Sequence, residues 1–383
     1  MSLVTPSPPA TTNISDRSAD GCLAEEISTL TVEDRNLTKR TDYIGWDSYF
    51  MAISCLVSKR SKDPATQVGA CIVNRKNRIV GQGYNGMPRG CSDDEFPWDK
   101  TSSNPTETKY FYVCHAEMNA VFNKNCADIS NCVLYSLLFP CNQCAKTIIQ
   151  SGISEVVYMG DKNMNKPEAT ASKRMFEASG VTVRQFRPLY DVLKINFKSG
   201  KCEECLPNTI PPEDMNRDLS KKREHCLPWD DYFMAISILV AKRSKCPTLQ
   251  RGACIVNQEK CIIGQGYNGM PHGCSDDEFP WRSDSDSELD NKYLYECHAV
   301  LNAILNAGVN VKGCVVYSTT FPCNECTKAI IQSGIRKVVY LQTLEMEPRS
   351  CAALRMLNAV GITYRQHIPV QDELFVDFTL IDA

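Results

Sequence analysis

The chain is written twice. WDSYFMAISCLVSKRSK, beginning at Trp46, returns at Trp229 as WDDYFMAISILVAKRSK. GACIVN at 69–74 recurs at 252–257, GQGYNGMP at 81–88 recurs at 264–271, and CSDDEFPW at 91–98 recurs at 274–281. A repeat of this length is no solenoid unit. It reads as two copies of a complete domain, in keeping with 383 residues being too much chain for one compact core.

Boundaries follow from composition. Residues 1–42 are rich in Ser, Thr, Pro and Asp without a sustained apolar period, and are expected to be a disordered tail. The first domain is placed at 43–197, a polar Pro-interrupted linker at 198–227, and the second domain at 228–383. Within the first copy, 47–59 carries Phe50, Ile53, Ser54 and Val57 at helical spacing, and 68–73 and 79–84 are short β-rich runs around a tight turn. Helices are expected at 115–123 and 141–150, strands at 133–138 and 156–159, then a helix from Pro167 to Gly180 and a strand at 181–186. This alternation predicts an α/β domain with helices on both faces of a mixed sheet.

Composition narrows the function. A chain 43% hydrophobic and 23% charged is globular, and a net charge of −3 is a poor footprint for a nucleic-acid partner. No apolar run reaches the roughly 18 residues of a membrane span. Residues 1–12 lack the basic and apolar regions of a secretory signal. The 21 cysteines are therefore expected in a reducing compartment, cytosol or nucleus, most as buried thiols and a minority as metal ligands.

The chain has five histidines, and two of them, His115 and His298, occupy equivalent positions in the repeats. Each is followed at a matching distance by Pro-Cys-x-x-Cys, which adds Cys141 and Cys144 in the first copy and Cys323 and Cys326 in the second. One imidazole and two thiolates leave the fourth position of a tetrahedral zinc ion open for water, the arrangement of catalytic zinc. Both Pro-Cys pairs stand between a strand and a helix, where the helix N-terminus favours thiolate. Glu117 lies two residues after His115 and could move protons for a metal-activated water. Two residues apart is not a same-face helical spacing, so the pair must sit in the helix's opening turn.

His115-Ala116-Glu117 followed by Pro140-Cys141-x-x-Cys144 is the signature of zinc nucleobase deaminases. Together with RSKDPATQVGACIVN, GYNGMPRGCSDDEFPW, CHAEMNAV and FPCNQCAKTIIQSGI, it closely resembles the deoxycytidylate (dCMP) deaminase family, over 43–197 and more weakly over 228–370. The resemblance implies a cytidine-deaminase-like three-layer α/β/α fold present twice in tandem. It implies hydrolysis of dCMP to dUMP and ammonia, supplying dUMP for thymidylate synthesis, with zinc on His115, Cys141 and Cys144 and Glu117 as proton shuttle. It also implies that Asn85 helps hold the nucleotide, that the protein is a homo-oligomer, and that dCTP and dTTP act as effectors. Arg60, Lys62 and Lys162 are candidates for the substrate phosphate, with a solvated surface role as the competing reading. Asn163 stands where the family commonly has an aromatic.

The second copy reads His298-Ala299-Val300. His298, Cys323 and Cys326 can still hold zinc, but Val300 can neither give nor accept a proton, so this domain is expected to be a pseudoenzyme. Its role is read as packing in the place of a second subunit, with nucleotide sensing as the alternative. Two rival functions are a polynucleotide cytidine deaminase, opposed by the acids Asp93, Asp94 and Glu95, and a non-catalytic regulatory partner of another deaminase, opposed by Glu117. Cys202, Cys205 and Cys226 with His225 could form a further zinc site, although solvated linker residues are the preferred reading.

Overall fold

The computed structural model describes residues 38–162, 164–211, 218–283, 287–343 and 347–379. Asn163 and most of the expected tail, 1–37, lie outside the described residues. In the first repeat α1 (Trp46–Ser58) precedes a hairpin of β1 (Gly69–Val73) and β2 (Ile79–Tyr84). Then follow α2 (Ala116–Phe122), β3 (Val133–Leu138), α3 (Asn142–Gln150), β4 (Glu155–Gly160), α4 (Pro167–Ser179) and β5 (Thr182–Gln185). The sheet order is β2-β1-β3-β4-β5. β1 runs antiparallel to β2 and β3, whereas β3, β4 and β5 are parallel, so the sheet is mixed as expected.

After β6 (Val192–Asn196) and β7 (Lys201–Cys205), the second repeat repeats the plan. Its elements are α5 (Trp229–Ala241), β8 (Gly252–Val256), β9 (Ile262–Tyr267), α6 (Ala299–Leu305), β10 (Val315–Thr320), α7 (Asn324–Gln332), β11 (Lys337–Gln342), α8 (Pro348–Val360), β12 (Thr363–Gln366) and β13 (Glu373–Asp377). Its sheet order is β12-β11-β10-β8-β9. No described helix is long and apolar enough to cross a membrane.

Each repeat is a three-layer sandwich, and the two share their middle. α1 and α5 are buried on every side beyond their first turns, not on one stripe as the spacing of Phe50, Ile53 and Val57 suggests. The reason is that α1 packs on α5, with one core joining both helices to the inner faces of both sheets. A helix apolar all round is a buried helix, and MAISCLV has no polar face to offer solvent. Outside this shared core, each repeat has its own apolar layer, beneath α2, α3 and α4 in the first and α6, α7 and α8 in the second.

The repeats also clasp each other through reciprocal segments. Ile44 N donates to Lys242 O at 3.2 Å, and Leu227 N donates to Lys59 O at 3.1 Å. The Arg243 guanidinium lies 3.9 Å above the Trp46 ring and donates to Ile44 O. Reciprocally, Arg60 lies 4.2 Å above Trp229 and donates to Leu227 O.

A third sheet, β13-β6-β7, joins the end of one repeat to the end of the other by antiparallel pairing. The expected linker is therefore structured in part. Residues 201–205 form a strand, and Cys202 is buried in the shared core instead of being solvated.

Replacing Arg243 with Ala removes a buried cation–π contact, worth up to about 2 kcal/mol, and orphans a carbonyl at about 1–3 kcal/mol. Arg243→Ala is expected to lower unfolding free energy by about 2–4 kcal/mol, read from denaturant midpoints at an unchanged m-value.

Candidate metal and catalytic site

The site is built where α2 and α3 begin. Gly83 on β2 lets α2 lie directly on the strand, since a Cβ there would stand 2.2 Å from Ala120 N and 2.3 Å from Ala116 O. Gly86 and Cys114 form an antiparallel bridge, and Asn119 Nδ2 donates to Tyr84 O at 2.7 Å. The glycine-bracketed turn thus sets where the residue after Cys114 emerges. That residue, His115, is the N-cap of α2 with extended backbone, and Glu117 sits in the first turn. Cys141 is the N-cap of α3, just past the carboxyl end of β3. The irregular opening turn brings His115 and Glu117 to one place.

His115 Nδ1 lies 3.4 Å from Cys141 Sγ and 3.3 Å from Cys144 Sγ. The ligand atoms of the three residues fall within 4.8 Å of one another. His298, Cys323 and Cys326 repeat this arrangement at 3.3 and 3.4 Å. These are the two such trios among the described residues, so Cys202, Cys205, Cys226 and His225 do not form a third. One nitrogen and two sulfurs converging on a point fit zinc and leave room for a fourth ligand.

Electrostatics prepare one thiolate in each trio. The hydrogen bond from Cys144 holds the Cys141 thiol down at about 3, aided by His115, while that same bond and burial push Cys144 well above its ordinary value. The Cys141 thiolate raises His115 to about 9. In the second repeat Cys326 holds Cys323 at about 3 in the same way, and Cys323 raises His298.

Glu117 is buried, with Oε1 accepting from Ser136 Oγ at 3.0 Å and Oε2 accepting from Cys144 Sγ at 3.4 Å. It is aimed at the metal-binding trio and held there from behind. Ser136 was not singled out in the sequence. Its only signal is that Ser318 stands at the same point of β10.

Asn85 is held beside the trio by a dense set of bonds. Its Oδ1 accepts from Val68 N at 2.8 Å, and its Nδ2 donates to Asp63 Oδ2 at 3.1 Å and Thr66 O at 2.9 Å. Asp63 is in turn bound by buried Lys109 at 2.5 Å. Lys109 and Asp63 form a buried ion pair that sequence reasoning did not assign to the site. Arg60 stacks on Trp229 and donates to Leu227 O, and Lys62 pairs with Asp93 at 2.5 Å. Asp94 pairs with Lys222 at 2.6 Å, so two of the three acids read as repelling a polynucleotide are neutralised within the chain.

The second repeat departs in concert. Cys246 replaces Asp63, and Glu296 supplies the carboxylate for Asn268 Nδ2 instead, at 2.6 Å. Lys292 turns to Thr248 Oγ1 at 2.6 Å and Cys246 Sγ at 3.0 Å. Val300, buried, stands at the position of Glu117.

With metal removed, Cys141 and Cys323 are expected to be alkylated by iodoacetamide at pH 6 ahead of the buried thiols Cys55, Cys71, Cys202 and Cys254, which burial pushes up. Peptide mass mapping checks this, and added zinc should protect both. Breaking the buried pair with Lys109→Met should destabilise the chain by about 3–5 kcal/mol, because Asp63 is left uncompensated.

Known proteins share these features. The cytidine and deoxycytidylate deaminase zinc-binding region matches residues 44–160 and again 227–342. The deoxycytidylate deaminase of Mus musculus is 55% identical over 168 residues, covering 44% of this chain and 94% of that protein. That of Homo sapiens is 56% identical over 161 residues, covering 42% and 90%. A crystal structure of dCMP deaminase from cyanophage S-TIM5 aligns at 22% identity with a TM-score of 0.29, covering 36% of this chain and 96% of that one. With the family matched twice over most of both repeats, the chain belongs to the zinc-binding cytidine and deoxycytidylate deaminases, as a tandem duplication.

Proposed function

We propose that the first repeat hydrolyses dCMP to dUMP and ammonia, and that the second repeat holds metal without turning substrate over. The observation that carries this reading is the asymmetry at one position: Glu117 reaches over one trio and Val300 over the other. The substrate is inferred from the likeness to deoxycytidylate deaminases at more than half identity over nearly their full length.

Zinc held by His115, Cys141 and Cys144 would supply the Lewis acidity that makes a water nucleophilic near neutral pH. Glu117 accepts the water's proton at its carboxylate as oxygen joins C4 of the cytosine ring, and delivers it to N3. It then carries the second proton of that oxygen to the amino group, which leaves C4 as ammonia while the oxygen becomes the uracil carbonyl. Ser136 keeps Oε1 in place through both transfers. Asn85 is a positioning residue, since both its N–H groups are committed to Asp63 and Thr66. Val300 can carry neither proton. The second repeat instead completes the shared core around α1 and α5, which supports packing as its role, and covalent linkage holds it there at high effective concentration.

Glu117→Gln is expected to lower kcat on dCMP by at least about 10²–10⁴ while zinc stays near two per chain. Turnover undiminished by the substitution refutes the mechanism. Comparing dCMP, dCTP and deoxycytidine on the parent chain tests the substrate. Cys323→Ala should remove one zinc per chain and leave Glu117-dependent turnover measurable, whereas its abolition in a folded chain would refute catalysis by the first repeat alone.

A further inference from the structure

The second trio is the floor of a cavity of about 40 Å³ lined by Arg251, Asn268, Lys292, Glu296, Val300 and Ser318, among others. That is room for a few waters or one phosphate-sized group, and far too little for a nucleobase. The walls differ from those of the first repeat in a consistent direction. Around the first trio stand Asp63, Lys109 and Glu117, two negative charges to one positive. Around the second stand Arg251, Lys292 and Glu296, two positive to one negative. The pocket has reversed its sign.

Arg251 stands where the first repeat has Val68, so its cation is an addition. It makes no ion pair with any described residue, and its Nε is buried with no hydrogen-bond partner. Lys292 is buried, donates to Thr248 Oγ1 and Cys246 Sγ, lies over the Tyr293 ring, and has no carboxylate partner among the described residues. Ser318, also buried, lines the same cavity with Val300 where its counterpart Ser136 has the Glu117 carboxylate. A buried donor without a partner costs about 1–3 kcal/mol, so the Arg251 Nε–H is a donor that an acceptor entering the cavity would satisfy. Glu296 makes no ion pair with Arg251 among the described residues, and its Oε1 accepts from Asn268 Nδ2 at 2.6 Å.

We propose that the pocket of the second repeat binds a phosphate-sized oxyanion through Arg251, supported by Lys292 and Ser318. Guanidinium and phosphate form strong charge-assisted, often bidentate bonds, which is the chemistry this addition supplies. The oxyanion is either free phosphate or the phosphate end of a nucleotide whose base stays outside, since the cavity is open to solvent and too small for the whole. This inference is independent of which repeat performs catalysis.

The test uses the full, zinc-replete chain carrying Glu117→Gln, so that dCMP is not consumed. Calorimetric titrations with inorganic phosphate, dCMP and deoxycytidine are run with and without Arg251→Val, which restores the residue of the first repeat. The expected result is that Arg251→Val weakens phosphate by about tenfold or more, leaves deoxycytidine unchanged and keeps zinc content constant. If dCMP stoichiometry falls from two to one in Arg251→Val, the source is a nucleotide phosphate. If only inorganic phosphate is affected, the source is the free anion. Phosphate and dCMP isotherms unaltered by Arg251→Val overturn the proposal. Should that variant fail to fold, Arg251→Lys keeps the charge but loses the planar fork; weaker phosphate binding supports the assignment and unchanged binding overturns it.

Discussion

The burial of α1 against α5 is the contact on which the rest of the molecule depends. Each helix is the inner layer of its own repeat's sandwich and the roof of the other's. Neither could be exposed without presenting Tyr49, Phe50 and Ile53, or Tyr232, Phe233 and Ile236, to water. Fully burying each such side chain is worth about 1.5–3 kcal/mol. The reciprocal arginine–tryptophan stacks and the β13–β6 pairing close the same seam from its edges. A single repeat alone would leave that face open, and in this chain the second copy covers it.

That requirement explains how the repeats have diverged. Substitutions that leave the shared core intact are tolerated, and those around the second trio do. Val300 fills the place of a buried carboxylate with apolar volume, which removes a group that is costly to bury. The carboxylate that binds the turn asparagine has moved from position 63 to Glu296, so Asn268 remains as fully bonded as Asn85. The frame of the pocket was kept by exchanging the partners within it, while the proton carrier was lost.

Much of this was legible in the sequence, for identifiable reasons. Strand and helix positions followed from short β-rich runs and from Gly180, whose φ of 74° ends α4. Glu117 beside His115 and Cys144 beside Cys141 were legible because residues two or three apart at a helix start are held together by local backbone geometry, whereas the link from His115 to the cysteines was legible only because the pattern recurs in the second repeat. Asp63, Lys109 and Ser136 were not, because they reach the site from a loop, a single 3₁₀ turn and a strand far apart in the chain. Arg60 was misjudged for a related reason: a basic residue beside a helix end reads as solvated, and only the other repeat supplies the Trp229 ring that covers it. Cys202 failed in the same way, since its burial is made by the shared core. Contacts between repeats are invisible to a reading that treats each repeat alone.

Retention of the second trio has a physical cause apart from catalysis. Cys323 and Cys326 lie at the start of a helix packed on the outer core, and Cys326 is buried there. Without metal, the thiolate at Cys323 raises the proton affinity of His298, and buried Val300 offers neither group a polar partner. A metal held by the trio would take the place of that pairing, and its binding free energy would add to folding. Val300 in place of the glutamate is accommodated in the outer core, whereas losing a thiolate would remove one of the three groups that converge on the site.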